Sequence, residues 1–135
     1  MYYEVKVKHT IQDAKGNDKE VADNYIVKDC ELFAEAEQKG MELFNGECDV
    51  VAVKRSQIRE FANEPKGVDG EAIYLATLAD IFINENGTEK KTKYKIGVYA
   101  NDVSGAEKAT QEYMKQGLQD MECEGIKKTS FVEVL

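Results

Sequence analysis

Lysines and arginines recur beside aromatic residues at strand-like spacing in this chain. Lys54 and Arg55 stand in residues 53–61, VKRSQIREF, and Lys127 and Lys128 in residues 126–134, IKKTSFVEV. Lys6 and Lys8 alternate near the N-terminus, and Lys91, Lys93 and Lys95 alternate around Tyr94, with Lys90 beside them. Cations spaced along a strand can follow a phosphate backbone, and flat rings can stack on bases. Together they are what nonspecific binding of single-stranded nucleic acid requires. Tyr2, Tyr74 and Tyr94 are the candidate stacking residues, with Phe82 next. The same residues have a plainer reading: lysine on an open sheet face or edge guards against aggregation, and tyrosine packs well in strands.

A second set is acidic. Residues 31–49 carry six acids and one base, and residues 102–124 carry six acids and two bases. The net charge is −8, yet the rest of the chain is close to neutral. Charge segregated in this way can give one negative and one positive surface. Glu35, Glu42, Glu107 and Glu112 are the residues that would meet a basic protein partner. The acids from Glu35 to Glu47 follow no regular helical face, which argues against point-by-point mimicry of phosphates.

Nucleophilic and metal chemistry find little support. His9 is the sole histidine, and Cys30, Cys48 and Cys123 show no ligand spacing, so neither a zinc site nor a Cys–His pair is expected. The odd cysteine count reads as free thiols in a reducing compartment. No carboxylate pair is singled out by its context, and no GxGxxG or P-loop is present. The expectation is a protein that is not an enzyme and has no cofactor and no metal.

These residues need a scaffold, and the two lysine-bearing stretches supply it by being alike. Both read apolar, Lys, cation, hydroxyl, polar, large apolar, any, Glu, apolar. Residues 2–11 alternate as a half-buried strand, residues 13–18 (DAKGND) form a turn, and residues 21–27 return as a second strand. A helix over about 32–44 follows, with Phe33, Ala36, Gly40, Leu43 and Phe44 near one face. Gly40 there points to close packing on a sheet. Asn45-Gly46 stops the helix, and residues 49–61 make one long third strand. Residues 63–70 (NEPKGVDG) read as a linker. The second half repeats the order: a more apolar and so central strand over 73–83, a hairpin at Asn86-Gly87, and a return strand over 91–100. A helix capped by Asp102 or Ser104 then runs to about Gln119, with Val103, Ala106, Thr110, Tyr113, Met114 and Leu118 near one face, before a closing strand over 125–134. Tyr25 matches Tyr94, and Ala36-Glu37 matches Ala106-Glu107.

The expected fold is therefore α+β, a tandem duplication of a β-β-α-β unit. Antiparallel hairpins carry two helices packed on sheet, related by a pseudo-twofold. Residues 1–135 form one domain of two repeats, 1–62 and 72–135, joined by a linker at 63–71. No stretch of 18 apolar residues suggests a membrane span, and residues 1–10 lack the apolar centre of a signal peptide. A cytoplasmic protein is expected.

The chain resembles a family of short proteins of unknown function from Bacteroidales and their crAss-like phages. The resemblance rests on Tyr2-Tyr3-Glu4-Val5-Lys6-Val7, Tyr25-Ile26-Val27, Ala34-Glu35-Ala36-Glu37, Ala52-Val53-Lys54-Arg55 and Glu89-Lys90-Lys91-Thr92. Some members sit in replication gene neighbourhoods, so the resemblance implies binding of single-stranded DNA and a bacterial, phage-type setting. It implies no catalytic residues. The reading from the residues themselves is a non-enzymatic nucleic-acid-binding protein using Lys6, Lys8, Lys54, Arg55, Tyr74, Lys91, Lys93, Tyr94, Lys95, Lys127 and Lys128. The alternative is an acidic interaction or inhibitor module acting through the helix glutamates without nucleic-acid affinity. A third reading is an oligomer whose second-unit strand pairs between chains.

Overall fold

Alternating side chains make strands of the segments marked above. The computed structural model describes them over residues 1–117 and 120–135. The order is β1 (Tyr3–Gln12), β2 (Asp18–Val27), α1 (Phe33–Met41), β3 (Cys48–Arg55), β4 (Ile58–Phe61), β5 (Ala72–Ile83), β6 (Glu89–Ala100), α2 (Val103–Lys115), β7 (Asp120–Lys128) and β8 (Phe131–Val134). The class is α+β, with two helices and two four-stranded sheets, and the element order fits a duplicated β-β-α-β unit.

The two hairpins are closed by the same device. Asp13 accepts hydrogen bonds from the backbone of Lys15 and Asn17 through Oδ1. Asn84 does the same for Asn86 and Thr88. Gly16 and Gly87 supply the positive φ that each turn needs.

The strand order is β3-β1-β2-β8 in one sheet and β4-β6-β5-β7 in the other. Replacing β1, β2, β3 and β8 by β5, β6, β7 and β4 converts the first into the second. Central β5 agrees with its apolar sequence. The inner pairs are antiparallel, whereas β8 lies parallel to β2 and β4 parallel to β6. The long strand expected over 49–61 is thus two strands in different sheets, and so is the one expected over 125–134. Each breaks at the hydroxyl position of the repeat. The Ser56 amide donates to the Tyr2 carbonyl at 3.0 Å, and the Thr129 amide and hydroxyl donate to the Ile73 carbonyl at 3.0 and 2.6 Å. Apolar residues resume soon after each break, which is why the sequence looks continuous there, but their period-two alternation does not: Val53 and Ile58, like Ile126 and Phe131, are five residues apart.

The compact units follow the sheets and not the repeats. Unit 1 comprises Met1–Ser56 and Ser130–Leu135, and unit 2 comprises Gln57–Thr129. Each therefore takes one short strand from the far repeat. Residues 63–71, expected as a linker between units, belong to unit 2.

In unit 1 the core gathers Tyr3, Val5, Val7, Tyr25, Val27 and Cys30 beneath Ala36 of α1. In unit 2 it gathers Tyr74, Ala76, Leu78, Ile96 and Val98 beneath Ala106 of α2. Small residues let both helices approach closely. A Cβ on Gly40 would lie 2.8 Å from Val5 Cγ1 and 3.0 Å from Val50 Cγ2. Of the large residues expected on the α1 face, Phe33 stays outside, 53% exposed and touching Tyr3 edge-on, whereas Leu43 packs against the core. α1 also stops at Met41, short of Phe44. Phe44, Asn45 and Gly46 all have positive φ within a 3-10 turn over Leu43–Gly46, so the chain has already left helical geometry. α2 starts at Asp102, whose carboxylate accepts from the Gly105 amide at 2.7 Å, and ends at Lys115. Leu118 and Gln119, expected at its end, lie outside the described residues.

Candidate nucleic-acid interface

Strand alternation decides which lysines share a surface. Tyr3, Val5 and Val7 of β1 face α1, so Lys6 and Lys8 lie on the opposite, helix-free face of that sheet. Lys54 joins them, since it pairs with Glu4 across the ladder. In unit 2, Ile96 and Val98 of β6 pack toward α2, so Lys91, Lys93, Lys95, Gly97 and Tyr99 share the helix-free face. Lys127, opposite Leu75, lies on that face too. Arg55 and Lys128 do not. They lie opposite Tyr3 and Tyr74, on the helix-bearing faces. Each unit thus has one lysine row, and the adjacent cations of each repeat are divided between two faces.

Several of these charges are paired. Lys8 is 3.6 Å from Glu20, Lys54 is 3.6 Å from Glu4, and Lys93 is 3.1 Å from Glu124. Lys91 lies 2.7 Å from Glu122 and 3.9 Å from Glu89. Its hydrogen bond to Glu122 holds the Lys91 ammonium above the ordinary lysine value. Among the described residues no salt bridge reaches Lys6, Arg55, Lys95, Lys127 or Lys128.

The aromatic candidates fare differently. Tyr74 is 3% exposed and packs in the unit 2 core, so its ring cannot stack on a base. Tyr94 is half-buried on the helix-bearing face. Its hydroxyl donates to Asp80 at 3.2 Å, and the Arg59 guanidinium covers its ring at 4.7 Å. Burial first, and then the Asp80 charge, raise the Tyr94 pKa. Tyr113 of α2 donates to Glu60 of β4, and burial together with that bond raises its pKa as well. Tyr2 is half-buried, and Phe82 is exposed near the β5–β6 turn.

The rings on the unit 2 lysine face are Phe61 and Tyr99, which the sequence reading did not select. They stack at 5.1 Å with an interplanar angle of 24°. Gly97 makes this possible, because a Cβ there would lie 2.4 Å from the Phe61 ring. A glycine inside a strand of large residues was the available signal for such a close approach.

Glu35, Glu37 and Glu42 on α1 and Glu107 and Glu112 on α2 are all exposed. His9 is engaged structurally. Its Nε2 is 2.6 Å from Asp23 Oδ2, and its ring stacks on Phe44 at 3.9 Å. Cys48 pairs with His9 across the ladder, but its thiol points at the carbonyls of Leu43 (3.3 Å) and Gly40 (3.5 Å). Among the described residues no group of three His, Cys, Asp or Glu side chains is placed to hold a metal ion. No described helix is long and apolar enough to cross a membrane.

Compared with known proteins, residues 1–135 match a family model described as Domain of unknown function (DUF4494). No curated protein and no solved structure matches the chain.

Proposed function

The chain belongs to the DUF4494 family, and from that premise, which assigns no activity, we propose that it is a non-enzymatic protein that binds single-stranded nucleic acid through the helix-free face of unit 2. The observation that carries this reading is the sharing of one sheet face by Lys91, Lys93, Lys95 and Lys127, with the exposed acids of α2 against the other face. Successive lysines on β6 stand about 7 Å apart, from the strand rise. That spacing suits an extended phosphate backbone. Phe61 and Tyr99 put flat rings on the same face, taking the stacking role first given to Tyr74. Lys6, Lys8 and Lys54 form a second, smaller row in unit 1. We attach to this reading a replication setting inside the bacterial cell, of the kind met in Bacteroidales and their crAss-like phages.

The test is fluorescence anisotropy with labelled single- and double-stranded oligonucleotides at about 50 and 200 mM salt, where phosphate-driven affinity changes steeply. Binding that prefers the single strand and weakens with salt is expected. Replacing Lys95 and Lys127 with Ala should flatten the slope of log K against log salt by about 1.4, at roughly 0.7 per phosphate contact. An unchanged slope would remove this face as the site, and no binding at low salt would remove the function.

One observation favours a second reading. Lys8, Lys54, Lys91 and Lys93 are each neutralised by a glutamate of their own sheet, whereas no salt bridge among the described residues reaches Glu35, Glu42, Glu107 or Glu112. An acidic module that docks a basic protein would use those helix carboxylates. Reversing the four charges would release such a partner and leave oligonucleotide binding unchanged.

A further inference from the structure

β3 is the outer strand of its sheet, and among the described residues only β1 pairs with it. At 8 residues it is a longer open edge than β4 or β8, which have 4 each. Short edges and edge lysines ordinarily guard a sheet against pairing with a second chain. β3 has such a lysine, Lys54, but it also carries the complement of that charge, Asp49.

A bulge makes the strand self-complementary. The ladder with β1 pairs Lys6 with Ala52 and Val7 with Val50, leaving Val51 as the extra residue. Asp49 and Lys54 lie opposite Lys8 and Glu4, so both stand on the helix-free face. Val50 and Val53 lie opposite Val7 and Val5, and both pack against the core. The backbone follows the same plan. The Ser56 amide reaches the Tyr2 carbonyl, so Lys54 and Ala52, in phase with it, turn their backbone groups to β1, and Val53 and Arg55 turn theirs outward. Across the bulge the phase shifts by one residue, so Cys48 and Val50 turn outward. A second β3 laid antiparallel, with Val51 opposite Ala52, sets Asp49 opposite Lys54, Val50 opposite Val53 and Cys48 opposite Arg55. Each of these three pairs joins side chains of the same sheet face, and the last two join outward-turned backbone groups. In an unbulged strand residues an odd number apart lie on opposite faces, and this register would fail.

β7 is the matching edge of unit 2, and it is closed to such pairing. Glu122 and Lys127 correspond to Asp49 and Lys54 in the repeat, and the ladder with β5 leaves out the corresponding residue, Glu124. Glu122 and Glu124 already hold Lys91 and Lys93, and two copies would bring their Glu124 carboxylates together at the centre. In β3 that central place is taken by Val51, 46% exposed, next to exposed Ala52. Asp49 is exposed, and no salt bridge among the described residues reaches it.

We propose that β3 is a self-recognition edge: two copies of the chain pair antiparallel along it about a twofold axis, joining two four-stranded sheets into one continuous sheet. The Asp49–Lys54 pair forms twice by symmetry, and Val51 and Ala52 are covered at the centre.

Sedimentation equilibrium of the full chain from about 1 to 300 μM, the range of a modest affinity, reads the association. A monomer–dimer equilibrium with no larger species is expected. Asp49→Lys and Lys54→Glu each set like charges opposite one another at both symmetric places, and each should raise the dimer dissociation constant about tenfold. An equimolar mixture of these two variants should associate again, because opposite charges then meet in the mixed pair. Recovery in the mixture also shows that both variants are folded. Val51→Glu, which gives β3 the central residue of β7, should leave the chain monomeric. A parent chain monomeric throughout the range, species larger than a dimer, a dimer indifferent to the reversed charges, or a mixture that fails to recover would each overturn the proposal.

Discussion

Replacing Gly97 with Ala tests the aromatic pair on the unit 2 sheet most directly. On backbone grounds alone the change should stabilise, because alanine in a strand gives up less conformational freedom than glycine, by about 0.5 kcal/mol or slightly more. Packing opposes it. The new Cβ would lie 2.4, 2.7 and 2.8 Å from three atoms of the Phe61 ring, and a rigid ring cannot yield without leaving its place. Its departure gives up the stack on Tyr99, worth about 1 kcal/mol. It also gives up the burial of a half-buried phenylalanine, about 1–1.5 kcal/mol, or half the full value. The sum is a net loss of about 1.5–2 kcal/mol. For a chain of this size that lowers Tm by roughly 6–8 °C, at about 4 °C per kcal/mol. Phe61→Ala alone should lose a similar amount. The double variant should be no worse than Phe61→Ala, because the new methyl then has room, giving a coupling energy near 2 kcal/mol. Urea unfolding followed by far-ultraviolet circular dichroism and tyrosine fluorescence measures all four corners of the cycle. Strict additivity, or a Gly97→Ala protein more stable than the parent, would refute the geometry.

Gly40→Ala sets helix propensity, a gain of about 1 kcal/mol, against contact with the stiff side chains of Val5 and Val50, an overpacking loss of about 1–3 kcal/mol. Net destabilisation in thermal melts is expected, and stabilisation would mean that α1 sits farther from its sheet. Alkaline pH should destabilise the protein for a specific reason. Tyr25, Tyr94 and Tyr113 all have pKa values raised in the folded state, so above the ordinary phenol value of about 10 the unfolded chain releases protons that the folded one keeps. Stability is then complete below that pH and falls as pH rises beyond it. Tyr113→Phe should lose less stability than the parent between about pH 9 and pH 11, and equal losses would contradict the raised pKa.

What could be read from the sequence was whatever depends on local period and turn chemistry. Alternation gave the hairpins, Asp102 and Asn86-Gly87 gave a cap and a turn, and Gly40 announced a close approach. The strand exchange was not read, because Ile58 and Phe61 supply apolar residues to whichever sheet they enter. The break is marked by the hydroxyl at Ser56 and Thr129 and by the odd spacing from Val53 to Ile58 and from Ile126 to Phe131, and such a change of phase also fits a bulge within one strand. The site was half legible for a related reason. Alternation places Lys91, Lys93 and Lys95 on one face, but it cannot say that Tyr74 faces a helix. The stacking pair was missed because Phe61 reaches Tyr99 across a parallel ladder between segments far apart in sequence.

The exchanged strands also bear on how the protein is made. A ribosome releases a chain from its N-terminal side, and domains ordinarily fold in that order. Here unit 2 has all its residues once Thr129 has emerged, whereas unit 1 still lacks Ser130–Leu135. The half that is synthesised first is therefore the half that finishes last. Until β8 arrives, the outer edge of β2 has no strand beside it, and Tyr25-Ile26-Val27 wait beside an open ladder. An unpaired edge of this kind recruits other strands. The nascent chain is open to misassociation along β2 from the time that strand has emerged until Ser130–Leu135 join it.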